Sequence, residues 1–330
     1  MQGYVSVAKA YTHKDQHTVP NSYLKAWCDP DPPPKYNPFV WVFPRGQGNP
    51  RRKSPDNLFT KNNYYTIPDQ SAPDGRNLDI EHELSKVESV FVKVRDNFLL
   101  PKIPLTPQEH CDLLAFVAAL QGRTPAILGH MQQLWRGYLE TAKKVAALHF
   151  SMGDKDAYQK RNVFIGLGPA RSISEIQSII ALSAPYSVYH SITRLLPYFL
   201  SATAGNHPVH RLYLSILCRE TAPFFITSDD PFVWSGPTME RRFYMMDTPY
   251  YAHEDSGEIT VPLSPTRMLL LNEKPFLPYV DVESDIVDQL NQQTRIECNE
   301  EFVSNNNFHD LKWYADLSGS LRISSIISGK

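Results

Sequence analysis

The sequence predicts an α+β chain: a helical body packed on a mostly antiparallel sheet, preceded by a loop-rich N-terminal β segment. Three observations predict it. Apolar residues recur every three or four positions through much of 77–204, the spacing that gives a helix one apolar face. The period changes to two at Leu212, Leu214, Ile216 and Cys218, which alternate with Tyr213, Ser215 and Leu217. Helices therefore precede strands instead of alternating with them, which argues against βαβ units and a parallel sheet.

The elements follow in order. Asp29-Pro30-Asp31-Pro32-Pro33-Pro34 lacks amide donors and fixes φ, so it is a surface excursion. Phe39–Phe43 is short and β-prone, a predicted strand, and Tyr64–Thr66 is a weaker one. Asn77–Leu100 carries Leu84, Val87, Phe91 and Val94 at helical spacing, and Pro101 ends it. Thr106-Pro107-Gln108-Glu109 is a helix start, with a Thr cap, Pro at the first position and Glu at the third. Pro125 breaks or kinks the apolar helix that follows, and helix resumes to about Phe150. Ser151–Ala170 is polar and reads as a loop. Ser172–Leu182 and Tyr186–Ala204 are the next helices, the second despite Pro197. Leu212–Cys218 and Phe224–Thr227 read as a β-hairpin. Arg242–Met246, Glu258–Pro262 and Met268–Leu271 are further strands, and Asp281–Ser304 is a last long helix with Phe302 on its apolar side.

Composition narrows the classes. The chain has 330 residues, 33 Lys and Arg against 35 Asp and Glu, 42% apolar residues and 12% aromatics. That is material for a sizeable core and excludes a disordered or collagen-like chain. A single domain over 1–330 is expected: a loop-rich β portion at 12–76, a helical portion at 77–206, a sheet and final helix at 207–310, and a tail at 311–330. A formal net charge of −2 argues against a globally basic nucleic-acid binder but leaves room for a local basic groove. No apolar run approaches membrane-span length, and Met1–Tyr11 lacks the apolar stretch of a secretory signal. Cys28, Cys111, Cys218 and Cys298 are widely spaced, so free thiols, no disulfide-linked partner and a reducing, cytoplasmic setting are expected.

Four segments carry candidate chemistry. His17 precedes the rigid Pro20 turn and Tyr23; imidazole titrates near neutrality, so it suits a general base or acid, or simply ties the segment to the body. Glu81 and Glu88 share a helix face two turns apart, where carboxylates hold a divalent metal, do acid–base work or face solvent. Gln121 and Arg123 sit at the helix break before Pro125, where Arg123 clamps a phosphate or bridges a carboxylate of a neighbouring helix. Thr227, Ser228, Asp229 and Asp230 lie at a strand end, where a rigid strand aims polar groups or where Ser and Asp make local turns. Arg51-Arg52-Lys53 and Arg241-Arg242 are short basic clusters; Tyr64-Tyr65 and Tyr250-Tyr251 suit base stacking or packing; His207 and His210 lack a third ligand nearby. No G-x-G-x-x-G, G-x-x-x-x-G-K, H-E-x-x-H or G-x-S-x-G motif occurs.

Together the motifs His17-x-x-Pro20-x-x-Tyr23-Leu24, Glu81-x-x-Leu84-Ser85-x-x-Glu88, Gln121-x-Arg123-Thr124-Pro125, Ile226-Thr227-Ser228-Asp229-x-Pro231 and Pro262-Leu263-Ser264-Pro265, with Asn291 beyond them, resemble the family called domain of unknown function 4238, a mainly bacterial group. The resemblance runs from about residue 12 to 304 and implies one compact domain with helices before sheet. The chain departs from the family pattern at Trp27, where Phe is usual, and at Asp230, where Asn is more frequent. The resemblance supplies no reaction. Two functions are therefore expected as alternatives. The first is a hydrolase of nucleic-acid phosphodiesters, a toxin-like or phage-defence nuclease. There His17, Glu88, Gln121, Arg123 and Asp229 are catalytic, Tyr23, Thr227, Ser228 and Asn291 bind substrate, and Glu88 with Asp229 holds Mg or Mn. The second is a non-catalytic binding or interaction module whose polar motif residues form a structural network.

Overall fold

The computed structural model describes residues 15–150, 172–207, 211–235, 257–308 and 310–314. The expected loop at 151–170, the strand Arg242–Met246, Arg241-Arg242, Tyr250-Tyr251, His210 and the tail from 315 lie outside them.

The architecture is α+β with antiparallel sheets. The elements are β1 (Asp15–His17), α1 (Asn21–Leu24), β2 (Val40–Pro44), β3 (Arg51–Lys53), β4 (Thr60–Asn62), β5 (Ile67–Pro68), β6 (Arg76–Asn77) and α2 (Asp79–Val94). Then come α3 (Pro107–Arg123), α4 (Pro125–Phe150), α5 (Ile173–Ala181), α6 (Ser183–His190) and α7 (Leu196–Thr203). The last are β7 (Tyr213–Cys218), β8 (Thr227–Ser228), β9 (Val233–Ser235), β10 (Glu258–Ser264), β11 (Arg267–Asn272), β12 (Tyr279–Asp281), α8 (Ser284–Glu297) and β13 (Glu301–Ser304).

A five-stranded sheet, ordered β12-β7-β11-β10-β9, is antiparallel except for the β12–β7 pair. Helices cover both of its faces. Ile216, Val261, Leu269 and Leu271 join Leu113, Val117 and Phe199 of the helical body, while Leu217, Met268 and Leu270 meet Ile286, Val287 and Leu290 of α8. Burial on both sides explains why β11 is buried at every position and carries the uninterrupted apolar run Met268–Leu271; β10 is buried throughout as well, although Ile259, Val261 and Leu263 alternate with Glu258, Thr260 and Ser264. A second sheet, ordered β3-β2-β13-β8, is wholly antiparallel, and two-stranded ribbons join β1 to β4 and β5 to β6.

The helix starts follow the local chemistry. Thr106 and Glu109 form a capping box with Pro107 in the first turn, and Ser172 and Glu175 form another. Phe91 of α2 and Phe116 of α3 stack at 3.7 Å between ring centres, and Tyr23 packs against both. Pro125 breaks the helix as expected: Thr124 turns to ψ 142° and the axes of α3 and α4 bend by 62°. Gly122, just before the break, lets α3 approach α6. A Cβ there would lie 2.8 Å from Ser191 Cβ and 3.0 Å from Val188 Cα. Gly122→Ala is therefore expected to destabilise by about 1–3 kcal/mol, read by urea unfolding.

Four expectations need correction. Tyr64–Thr66 is turn, and pairing starts only at Ile67, because Gln16 Oε1 takes the Tyr65 N–H at 2.6 Å. The stretch Tyr186–Ala204 is not one α-helix. The helix starts at Ser183, widens into a π-turn at Ser191–Leu195 and resumes as α7, since Pro197 cannot donate to the preceding turn. The hairpin of Leu212–Cys218 with Phe224–Thr227 does not form. β7 pairs with β11 and β12, and β8 joins the second sheet beside β13. Asn291 and Trp27 occupy the backbone groups of Phe224, Phe225 and Ile226, so these are not offered to β7. The last helix ends at Glu297, and Phe302 lies on β13, stacked on Phe43 at 5.1 Å.

Candidate functional site

The polar motif residues converge on the short segment 16–24 and on the strand end 224–231. Two knots tie them down.

The first knot joins α1, α2 and α3. Arg123 leaves the C-terminal end of α3, where a cation is favoured by the helix dipole. Its Nη1 donates to Glu88 Oε1 at 2.5 Å and its Nη2 to the His17 carbonyl at 2.7 Å. Its guanidinium carbon lies 5.5 Å from the centre of the Tyr65 ring. Ser22 Oγ donates to the other oxygen of Glu88 at 3.2 Å. Arg123 is only 2% exposed. Burial opposes its charge, but Glu88 and Tyr65 more than offset that, so it remains a guanidinium.

The second knot joins α1, β8, β10 and α8. Tyr23 is fully buried, and its hydroxyl donates to the Pro262 carbonyl at 2.8 Å. That hydroxyl has one hydrogen, so Thr227 Oγ1, 2.5 Å away, donates to Tyr23. Burial raises the Tyr23 pKa, with Thr227 pulling it down, and the phenol stays neutral. Trp27 Nε1 donates to Phe225 O at 2.9 Å. Asn291 uses its amide as a clip: Nδ2 donates to Phe224 O and Oδ1 accepts from Ile226 N–H. Ser228 Oγ accepts from the Asp230 N–H at 3.1 Å, a local turn of the kind Ser favours.

Asp229 does a separate task. Its carboxylate accepts the N–H groups of Asn299 and Glu300, each at 2.8 Å, and of Glu301 at 3.4 Å. Those amides follow the last turn of α8, so Asp229 fixes the turn from α8 into β13. Burial raises its pKa, and the amides of Glu300, Asn299 and Glu301 pull it back.

The structure thus brings His17, Glu88 and Arg123 together and joins Tyr23 to Thr227, but engages Asp229 elsewhere. Gln121 is buried, and neither its Nε2 nor its Oε1 has a hydrogen-bond partner among the described residues. The expected pairing of Glu88 with Asp229 as metal ligands is not supported: Glu88 is committed to Arg123 and Ser22, and Asp229 to backbone amides. No group of three or more His, Cys, Asp or Glu side chains suited to a metal ion occurs among the described residues. Tyr65 is buried, with its hydroxyl 3.4 Å from the His17 carbonyl, so it packs instead of offering a face to a base.

Among the candidate site residues, His17 and Glu88 keep partial access to solvent, and Glu88 is held by Arg123 and Ser22. His17 Nε2 lies 3.3 Å from Pro55 O, an acceptor only, which places the proton on Nε2 and leaves Nδ1 as the basic nitrogen. Burial lowers its pKa below the ordinary 6.5; Pro55 opposes this and Arg123 adds to it. The unfolded chain therefore binds this proton more readily. Stability rises with pH through the window below 6.5 and is lost as pH falls through it. His17→Gln keeps a donor for Pro55 and removes the titration. Its melting temperature is expected to fall less than that of the wild type between pH 7 and pH 5, a window set by the lowered imidazole pKa.

Sequence reasoning missed Gln16, Ser22 and Trp27 as members of the network. Gln16, wholly buried in a three-residue strand, gives no periodic signal; Trp27 was legible only as an aromatic in place of Phe. The fold and the two knots define an α+β protein whose motif residues are mostly interior. A family model described as Protein of unknown function (DUF4238) matches residues 15–308, and the chain belongs to that family. No curated protein and no solved structure matches the chain. All the motif residues from His17 to Asn291 fall within the matched span. The cysteines are free, and no single described helix is long and apolar enough to cross a membrane, although the bent α3–α4 pair meets that test by length and composition.

Proposed function

We propose that this chain is a non-catalytic binding or interaction module in which the family motifs act as a structural network. One observation carries this reading. Tyr23, Arg123, Thr227, Asp229 and Asn291 are each less than 10% exposed and each is engaged by a partner distant in sequence. An arginine with both terminal nitrogens occupied has little left for a phosphate. A carboxylate already accepting backbone N–H groups is likewise a poor metal ligand.

A second reading, a metal-independent nuclease, is favoured by His17 alone. A half-buried imidazole, neutral at pH 7, with Nε2 anchored to a backbone carbonyl and Nδ1 basic, is built like a general base. One experiment separates the two. Purified chain is incubated with mixed RNA, single-stranded DNA and duplex DNA, with magnesium, with manganese and with EDTA, beside folded His17→Ala. The module reading expects no degradation in any lane. Degradation by the wild type that His17→Ala abolishes overturns it in favour of the nuclease.

A further inference from the structure

A cavity of about 250 Å³ lies where β12 diverges from β7, between the sheet edge, the end of α7 and the start of α3. Its walls are largely apolar, including Leu105, Leu212, Phe276 and Pro278, and His110 and Thr203 line it as well.

The sheet leaves one open residue in this wall. Arg219 N–H donates to Thr266 O beside β11, and Ile216 N–H donates to Pro278 O beside β12. Alternation along β7 therefore turns the backbone groups of its even-numbered residues toward β12. The next such residue is Leu214. Its ladder donor would be the N–H of Pro278, which proline lacks. The register with β12 begins only at Ile216, and no further hydrogen bond reaches the Leu214 N–H among the described residues. On the far side, the Leu212 N–H is taken by Ala202 O at 3.1 Å. The open edge is thus one residue long. A strand needs more than this to add, but a single small ring carrying an amide fits it.

The polar pair beside it has a fixed sense. Thr203 Oγ1 donates to Phe199 O at 2.7 Å, so it accepts from His110 Nε2–H at 3.2 Å. Burial lowers the His110 pKa, and the neutral ring keeps Nδ1 as an acceptor.

We infer that this cavity binds a small planar aromatic molecule bearing an adjacent N–H and C=O, a lactam or imide edge, paired with the Leu214 C=O and N–H. An extended residue presents its own N–H and C=O side by side, which matches a ring amide in the cis arrangement. The apolar walls take the ring, and a volume near 250 Å³ suits one or two fused rings. The inference is independent of the network reading, because it uses none of the motif residues.

The test uses 2-quinolinone as the probe, titrated into the full chain by calorimetry or protein-observed NMR. Its N-methyl derivative, which keeps the ring and the carbonyl but has no N–H, is the control. The expected result is saturable binding of 2-quinolinone, at least ten-fold weaker binding of the N-methyl derivative, and shifts confined to signals of 104–110, 203–216 and 276–279. Leu105→Trp, at the half-buried wall, fills the cavity and is expected to abolish binding with an unchanged thermal melt. If that variant unfolds, the probe comparison on the wild type decides alone. No binding of 2-quinolinone, or equal binding of the two probes, overturns the proposal. A cleavage result under the nuclease reading leaves it untouched.

Discussion

Arg123→Ala is expected to lower the unfolding free energy by about 3–5 kcal/mol, the cost of breaking a buried ion pair from one side. The variant leaves the Glu88 carboxylate, 17% exposed, with only Ser22 as partner. It also strips a donor from the His17 carbonyl and leaves a void against Tyr65. Arg123→Lys should recover only part, because a single ammonium cannot reach Glu88 and the His17 carbonyl with the same fork. Replacing both partners by apolar residues, Arg123→Met with Glu88→Leu, should cost less than Arg123→Ala, since no unpaired charge then remains. Urea unfolding followed by circular dichroism reads all three. The fold is expected to survive in each variant, with α1 the first part to loosen in hydrogen exchange.

Asp229→Ala is expected to cost about 3 kcal/mol, the penalty of leaving several buried N–H groups without their charged acceptor. The consequence is local and specific. The amides of Asn299, Glu300 and Glu301 lose their acceptor, so α8 frays at its end and β13 loses the turn that sets its register against β2. Hydrogen exchange at 299–304 should quicken by more than at β10 or β11. Asp229→Asn retains one oxygen and should cost roughly half as much. Were Asp229 a free catalytic carboxylate, both substitutions would leave stability within about 0.5 kcal/mol of the wild type.

The helical part of the fold was legible because its causes are local. The Thr106 and Ser172 caps, Pro107 and the break at Pro125 act within a turn or two of their own positions. The continuous apolar run Met268–Leu271 also read correctly as strand. The misjudged pieces depend on partners far along the chain. Phe224–Thr227 is as β-prone as any hairpin arm, yet Trp27 and Asn291, 198 and 65 or 67 residues away, capture its backbone. Helical periodicity continued through 298–304, and the stop comes from distant groups: the Asp229 carboxylate, 70 to 72 residues upstream, takes the amides of 299–301, and β2 pairs with 301–304.

The site shows the same division. Residue types picked out His17, Glu88, Arg123, Tyr23 and Asp229, and the alternative that Arg123 bridges a carboxylate of a neighbouring helix is the arrangement found. Residue types do not reveal exposure. A buried arginine ion-paired to Glu88 and one poised over a phosphate carry the same letter, and only packing separates them. Leu214 and Pro278 were not legible as binding groups at all. Their significance lies in a backbone amide and a missing N–H, visible once β12 is placed beside β7.

A double-mutant cycle on Arg123→Ala and Glu88→Ala, read by urea unfolding, tests the structural-network account most directly. The account predicts a coupling of at least about 1.5 kcal/mol, because the two side chains form a shared, largely buried pair. A coupling below about 0.5 kcal/mol, with each single variant near wild-type stability, would contradict it and return Arg123 and Glu88 to the pool of free catalytic groups.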